Sequence, residues 1–253
     1  MSKNNRRRKK SKIIIIAAVC IVIVCAVIVF YPARAAVARH SMTPLETQEV
    51  IPGVYAIENQ FVNLYLVKSG DAYIAFDAGY DEGATASALA SFGIDTGDVS
   101  AVFLTHTDYD HVAAVPLFAK AEIYMADSNR VFLEGKIGQL RSKAFSDMKC
   151  EFSTLEDGET VTIAGSRIQC IFTPGHTSGS ASYVVDGKYL FAGDTMRLID
   201  GKAALFYAVF NMDSNEQKNS IRKLSGIEGI EYVFTMHTGC TADPSTAFSD
   251  WAE

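Results

Sequence analysis

The sequence predicts an α/β layered domain over residues 51–253, with strands and helices stacked around one core. Three observations predict it. Short β-rich runs bounded by Gly, Asp and Pro recur along the chain, with helix-like segments between them. Strands dominate early in each half and helices come later. Four of the five histidines sit just past a predicted strand, and so does Asp194.

After Pro52-Gly53, Val54 to Ile57 and Phe61 to Val67 read as strands. Ser69-Gly70-Asp71 is a turn, and Ala72 to Phe76 is a strand ending in Asp77-Ala78-Gly79. Gly83 to Phe92 reads as a helix closed by Gly93. Ser100 to Leu104 is an apolar strand, and the run from Val112 reads as a helix reaching Phe118. Ile123 to Met125 is a short strand, and residues 127–150 read as helix plus loop. Thr160 to Ile163 and Arg167 to Phe172 are strands, and Thr173 to Ser180 is a loop. Ala181 to Val185 and Tyr189 to Phe191 form a hairpin across Asp186-Gly187-Lys188. Residues 196–212 read as an apolar-rich loop, Ser214 to Leu224 as a helix, and Tyr232 to Thr235 as a strand.

The 50 residues ahead of this domain differ from it. Seven basic residues precede residue 13, and residues 1–12 are read as a cytoplasmic tail. Ile13 to Phe30 is an unbroken apolar run. At about 1.5 Å per residue it approaches a hydrocarbon core roughly 30 Å thick, so 13–31 reads as a transmembrane anchor. The basic block stays on the cytoplasmic side, which places the domain outside the cytoplasm. The competing reading is a cleaved signal peptide and a secreted domain, with small-x-small sites at Ala33-Arg34-Ala35 and Ala36-Val37-Ala38. The run is longer than an ordinary signal core, which favours the anchor. Residues 32–50 read as a linker.

Charge is split as sharply. Nine of the 23 basic residues precede residue 41, leaving 14 against all 29 acidic ones, a formal balance of −15 for the domain. Such a domain repels phosphate backbones, so no nucleic-acid partner is expected. Cys150, Cys170 and Cys240 offer no disulfide framework. Nothing in the sequence sets an oligomeric state.

The chemistry concentrates in Thr105-His106-Thr107-Asp108-Tyr109-Asp110-His111. A lone histidine is usually a surface or satisfied core residue. His106, His111, His176 and His237 share one kind of setting, which argues for metal binding. Imidazole with carboxylate suits zinc, manganese or iron. In an extended segment His106, Asp108 and Asp110 project to one side while His111 points elsewhere. One loop can therefore feed two ions, with distant residues completing each set.

The order His106-x-Asp108-x-Asp110-His111, then His176 in Pro-Gly-His-Thr, Asp194 in Gly-Asp-Thr, and His237 resembles the metallo-β-lactamase superfamily. Asp77 in Phe-Asp-Ala-Gly resembles that family's first motif. The resemblance implies an αβ/βα sandwich with two divalent ions at one edge, zinc first and iron or manganese as alternatives. It assigns His106, Asp108 and His176 to one ion and Asp110, His111 and His237 to the other, with Asp194 bridging. It implies a hydrolase that uses a metal-bridging hydroxide on an ester, thioester, lactone or amide, with Asp110 as the catalytic residue. Asp77 is then either a buttress to the ligands or a turn acid.

One position departs from the family's His-x-His-x-Asp-His. Asp108 stands where the second histidine is usual. As a ligand it adds negative charge and hardens the site; as a non-ligand it leaves a weak first site. A carboxylate there resembles the flavodiiron branch, but that branch also carries a flavodoxin-like domain for which this chain lacks length. A di-iron redox protein and a non-catalytic binding module are the alternatives to hydrolysis. Phe206, Tyr207, Val209 and Phe210 read as pocket lining or as packing, and Cys240 as an inert thiol or a group near the metals.

Overall fold

The computed structural model describes residues 16, 30–129 and 151–252. The basic tail, nearly all of the apolar stretch 13–31 and most of 127–150 lie outside the described residues. Among the described residues no helix is long and apolar enough to cross a membrane. The chain divides into two units after Ser41. In the first, residues 30–40 are helical. The second carries all the sheets, and its first strand falls within the stretch read as a linker.

That second unit begins with a seven-stranded sheet in sequence order: β1 (Gln48–Ile51), β2 (Val54–Asn59), β3 (Val62–Ser69), β4 (Ala72–Phe76), β5 (Val99–Leu104), β6 (Glu122–Ala126) and β7 (Ser153–Leu155). β1 to β4 are antiparallel, and β4 to β7 are parallel. A second sheet holds β8 (Thr160–Ile163), β9 (Ser166–Phe172), β10 (Ala181–Val185), β11 (Tyr189–Phe191), β14 (Tyr232–Thr235) and β15 (Gly239–Thr241). β12 (Met196–Ile199) and β13 (Lys202–Leu205) form a separate hairpin.

The central strands look almost uniformly apolar because both faces of each sheet are covered there. Side chains alternate between faces, so neighbours in sequence enter different cores. Tyr65, Val67, Ile74, Phe76, Ala101 and Phe103 face the second sheet and meet Ile168, Tyr183, Phe191 and Phe234. Leu64, Leu66, Ala75, Val102 and Leu104 face outward, under Leu89 of α1 (Glu82–Ser91) and Phe118. Val184, Leu190 and Val233 face outward from the second sheet, under Ile221 and Leu224 of α3 (Ser214–Ser225). The layers are helix, sheet, sheet, helix.

Three sequence expectations change. The helix expected to reach Phe118 is a single turn, α2 (Tyr109–Val112), followed by a 3-10 turn at Val115–Phe118. Pro116 lies in that second turn and has no N–H to continue an α-helix. The expected loop over 196–212 contains the β12–β13 hairpin. Asp200 and Gly201 both take positive φ, 50° and 78°, the signature of a two-residue turn that an Asp-Gly pair favours. β15 is an addition to the expected strands; its three residues are too few to show a pattern.

Two tyrosines tie the sheets together near one edge of the sandwich. Tyr183 on β10 donates its hydroxyl to the Leu104 carbonyl at 2.9 Å, and Tyr65 on β3 donates to the Thr235 carbonyl at 2.9 Å. Each acceptor lies two residues before a histidine of the opposite sheet, His106 or His237. Phe at either position keeps the ring but loses the bond. Tyr65→Phe and Tyr183→Phe are each expected to lower unfolding stability by about 0.5–1.5 kcal/mol, read from urea midpoints at constant slope. Unchanged midpoints in both would show that the hydroxyls do not hold the sheets.

Candidate metal centre

All the chemically active side chains leave the sandwich at one edge. Asp77 follows β4, His106 follows β5, His176 lies in the turn after β9, Asp194 follows β11 and His237 follows β14. Parallel strands with turns at the same end concentrate these residues there. Asp77 sits at a φ of 60°. This kink sends its buried carboxylate toward the next loop.

The loop after β5 does not stay extended. Asp108 has extended φ and ψ of −69° and 149°, and α2 begins at Tyr109. Adjacent residues in a helix diverge by about 100° rather than 180°. Asp110 and His111 therefore reach the same centre, contrary to the extended-segment expectation, with Asp110 Oδ2 3.6 Å from His111 Nε2.

Three donor sets result. His106, Asp108 and His176 form one, Asp110, His111 and His237 a second, and His106, His111 and Asp194 a third that joins them. Asp108 Oδ2 lies 3.8 Å from His106 Nε2 and 3.3 Å from His176 Nε2. Asp194 is central to all four histidines. Its Oδ2 is 3.9 Å from His106 Nε2, 3.6 Å from His111 Nε2 and 3.5 Å from His176 Nε2, while Oδ1 is 3.3 Å from His237 Nε2. These gaps exceed ordinary N–H···O bonds and suit donors that share a cation between them. The Nε2 atoms of His106, His111 and His237 and Oδ1 of Asp194 are buried, with no hydrogen-bond partner among the described residues. Such groups are costly unless something satisfies them, so the residues fit a metal centre.

The other ring nitrogens are occupied. His111 Nδ1 lies 2.7 Å from Asp77 Oδ2, and His237 Nδ1 lies 2.6 Å from the Phe61 carbonyl. His176 Nδ1 faces Asn211 Oδ1 at 3.3 Å. His106 Nδ1 lies 3.0 Å from Thr105 Oγ1, which donates its own proton to Asp77 Oδ2 at 2.9 Å. Each acceptor places the proton on Nδ1 and leaves the Nε2 lone pair facing the centre.

Electrostatics follow from the crowding of carboxylates. Burial would lower His111 and His237, but the Asp110 and Asp194 carboxylates outweigh it and hold both imidazoles above their ordinary range. Burial with His111 and His176 nearby keeps His106 well below it. Burial alone would raise Asp194; His237 and His111 instead hold its carboxyl well below the usual carboxylate range. The cage thus carries concentrated negative charge.

Fold, strand-end placement and donor sets agree with a family model for the metallo-beta-lactamase superfamily, which matches residues 58–237. This chain belongs to the metallo-beta-lactamase superfamily. A probable polyketide biosynthesis zinc-dependent hydrolase, BaeB, from Bacillus velezensis is 37% identical over 102 residues, covering 39% of this chain and 40% of that protein. The chain thus aligns with well under half of this curated relative's length. Among solved structures, a metallo-beta-lactamase family protein from Thermus thermophilus aligns with a TM-score of 0.61 at 21% identity, covering 80% of this chain and 79% of that one. A B3 metallo-beta-lactamase described as having an active-site glutamic acid aligns with a TM-score of 0.62 at 18% identity, covering 85% and 89%.

Within this superfamily frame, several supporting residues carry no clear sequence signal. Thr105 joins His106 to Asp77. Asn211 reaches His176 and donates to Gln217 Oε1 at 2.8 Å, and Gln217 Nε2 donates to the Asp194 carbonyl at 3.1 Å. Gln217 is the exception, a polar residue on the same buried helix stripe as Ile221 and Leu224. Asn63 holds both backbone groups of Leu45 at 2.8 Å, while the Thr43 amide donates to the His237 carbonyl at 2.8 Å. Gly175 permits close approach to α3: a Cβ there would lie 2.3 Å from the Gln217 amide nitrogen. Phe206 packs against His176 and His237, with ring centroids 5.1 and 5.3 Å away. Cys240 instead packs against the inter-sheet core, and burial raises its thiol pKa.

Asp77 receives three hydrogen bonds, from His111 and from the Thr105 amide and hydroxyl. Asn offers one acceptor oxygen in place of two. Asp77→Asn is therefore expected to turn one partner away and to weaken metal affinity about 10- to 100-fold. Competition with a fluorescent zinc chelator measures this, and unchanged affinity would make Asp77 a turn acid only.

Proposed function

We propose that this chain is a membrane-anchored metallo-hydrolase acting outside the cytoplasm on an ester, thioester, lactone or amide of a small molecule. The observation that carries the reading is the convergence of four histidine Nε2 atoms on Asp194, with two three-donor sets flanking it. The hydrolase name of the Bacillus velezensis relative is consistent with it. The anchor and the localisation rest on the basic block and the apolar run of the sequence.

His106, Asp108 and His176 would hold one divalent ion. Asp110, His111 and His237 would hold a second, and Asp194 would bridge. When bound, such ions supply Lewis acidity, which polarises a carbonyl oxygen and makes water a better nucleophile at neutral pH. The chain's own groups do the rest. Thr105, Asp77, Asn211 and the Phe61 carbonyl keep the four Nε2 lone pairs aimed inward. Asp110 keeps about a fifth of its side chain exposed, against a few per cent for Asp194, so its carboxylate meets both the centre and incoming substrate. It is placed to accept a proton from water and return it to the leaving group. Phe206 covers the His176 and His237 rings and excludes solvent on that side.

Asp108 supports zinc less strongly than a histidine would. A third carboxylate among the donors favours harder ions, so iron or manganese stands beside zinc. A di-iron redox protein is the second reading, and Asp108 is the observation that favours it.

Elemental analysis of the purified full-length chain, followed by an ester, lactone and β-lactam screen, separates these readings. Two zinc ions per chain with hydrolysis supports the proposal; two iron ions, a redox-active spectrum and no hydrolysis overturn it. Chelator treatment is expected to abolish hydrolysis and lower the melting temperature, with both restored by zinc, because a ligand that binds only the folded state stabilises it. Asp110→Asn is expected to cut kcat by about 100-fold or more. A fall below about threefold would remove Asp110 from proton transfer.

A further inference from the structure

The leading segment of the domain runs along the metal edge. The Thr43 amide donates to the carbonyl of His237 at 2.8 Å. Two residues on, Asn63 clasps both backbone groups of Leu45 at 2.8 Å, and the Asn63 amide donates to the Met236 carbonyl at 2.6 Å. The start of the domain is thus fixed to the strand end that carries a metal-site histidine. Twelve residues, 31–42, separate the apolar run from Thr43. Fully extended they reach roughly 40 Å. Residues 30–40 are helical, and at about 1.5 Å per residue a helix of that length covers only ~16 Å. A domain of about 210 residues is roughly 45 Å across. With the apolar run anchored in a bilayer, so short a tether holds the edge it is fixed to nearest that bilayer.

The same edge carries an apolar rim. Phe61 stacks on the His237 ring with centroids 5.9 Å apart, Tyr80 packs on Phe61 at 5.7 Å, and Tyr109 stands edge-on to Tyr80 at 5.2 Å. This ladder leads from a metal-site imidazole to a ring that is 54% exposed, on the residue between Asp108 and Asp110. Met212 is 45% exposed, and its amide donates to the His176 carbonyl at 3.0 Å. Four large apolar side chains are exposed among the described residues of the domain, and these two are fixed beside metal-site donors. A tyrosine ring favours a membrane–water boundary, because its body is apolar and its hydroxyl stays wet. Acidic residues are in excess, so the domain repels anionic headgroups and the attraction comes from burying apolar surface.

We propose that the metal edge docks on the bilayer that holds the anchor, with Tyr109 and Met212 at the headgroup boundary. The substrate is then a membrane-resident amphiphile, an ester or amide with an acyl chain, presented to the centre at that boundary. The docking rests on the anchor reading, and the substrate class rests on the hydrolase reading as well.

The full-length chain in phosphatidylcholine vesicles tests it. Wild type holds a single tryptophan, Trp251, whose carbonyl accepts from Ser225 at the C-terminal end of α3, while Gln217 near the other end of that helix reaches Asp194. Its emission is expected to be insensitive to lipids brominated high on the acyl chain. Tyr109→Trp adds an indole that is expected to be quenched by those lipids and shielded from acrylamide in the water. Met212→Trp is expected to behave alike, and it carries the test if Tyr109→Trp fails to fold. Retention after an alkaline carbonate wash reports the anchor separately. A retained chain whose added indoles stay accessible to acrylamide would overturn the docked edge and leave the anchor. Shielding from acrylamide without bromine quenching would put a protein partner on the rim and overturn the docking equally. A chain that washes off would overturn the anchor, and the docking with it. The substrate class is read from the kcat/KM ratio of 4-nitrophenyl decanoate in the vesicles to 4-nitrophenyl acetate in the water. Tyr109→Ser is expected to lower that ratio about tenfold or more, as for the loss of one buried aromatic side chain. An unchanged ratio would overturn the amphiphile. Quenched indoles with neither ester hydrolysed would overturn the hydrolase reading and leave the docking standing.

Discussion

The centre depends on the buried carboxylate of Asp77. Its two oxygens take the Thr105 amide, the Thr105 hydroxyl and the His111 ring. Through Thr105 they also set His106. One acid thereby orients two of the four histidines and pins the loop between β5 and α2. The Asp77 amide in turn bonds the Phe103 carbonyl at 2.9 Å, and the Ala78 amide bonds the His111 carbonyl at 2.8 Å. The ends of β4 and β5 are thus stitched into one rigid unit before any ion is considered.

The second sheet answers with its own supports. Gln217 reaches the Asp194 carbonyl from α3, and Gly193 lets the Asp194 turn come so close that a Cβ would lie 2.8 Å from Thr105 Cβ. Tyr65 and Tyr183 cross between sheets two residues before His237 and His106. Donors from both halves can then converge because the inter-sheet packing fixes their spacing. A large apolar core is the scaffold for a small, highly charged cage, and interior packing is too dense to let the two halves slide.

Much of this is legible in the sequence. The central strands of both sheets announce themselves as apolar runs, and the residues at the strand ends stand out by type and spacing. Where sequence and structure part, the causes are physical. The Asp200-Gly201 turn is hidden inside an apolar stretch. The segment after His106 has an extended pattern, whereas it coils from Tyr109 onward. Thr105, Asn63 and Asn211 are hard to single out, because an uncharged polar residue looks the same in sequence whether it supports a ligand or faces water.

By itself the sequence determined the donor types, their order and their places beyond strands, because these follow from local pattern and side-chain chemistry. It also determined the odd carboxylate at Asp108, where the family pattern has a histidine. Only the tertiary structure decided which ring nitrogen faces inward and which uncharged polar groups stand behind the donors. Those depend on contacts between residues up to 176 positions apart, such as His237 with the Phe61 carbonyl, and no local pattern encodes a partner at that separation.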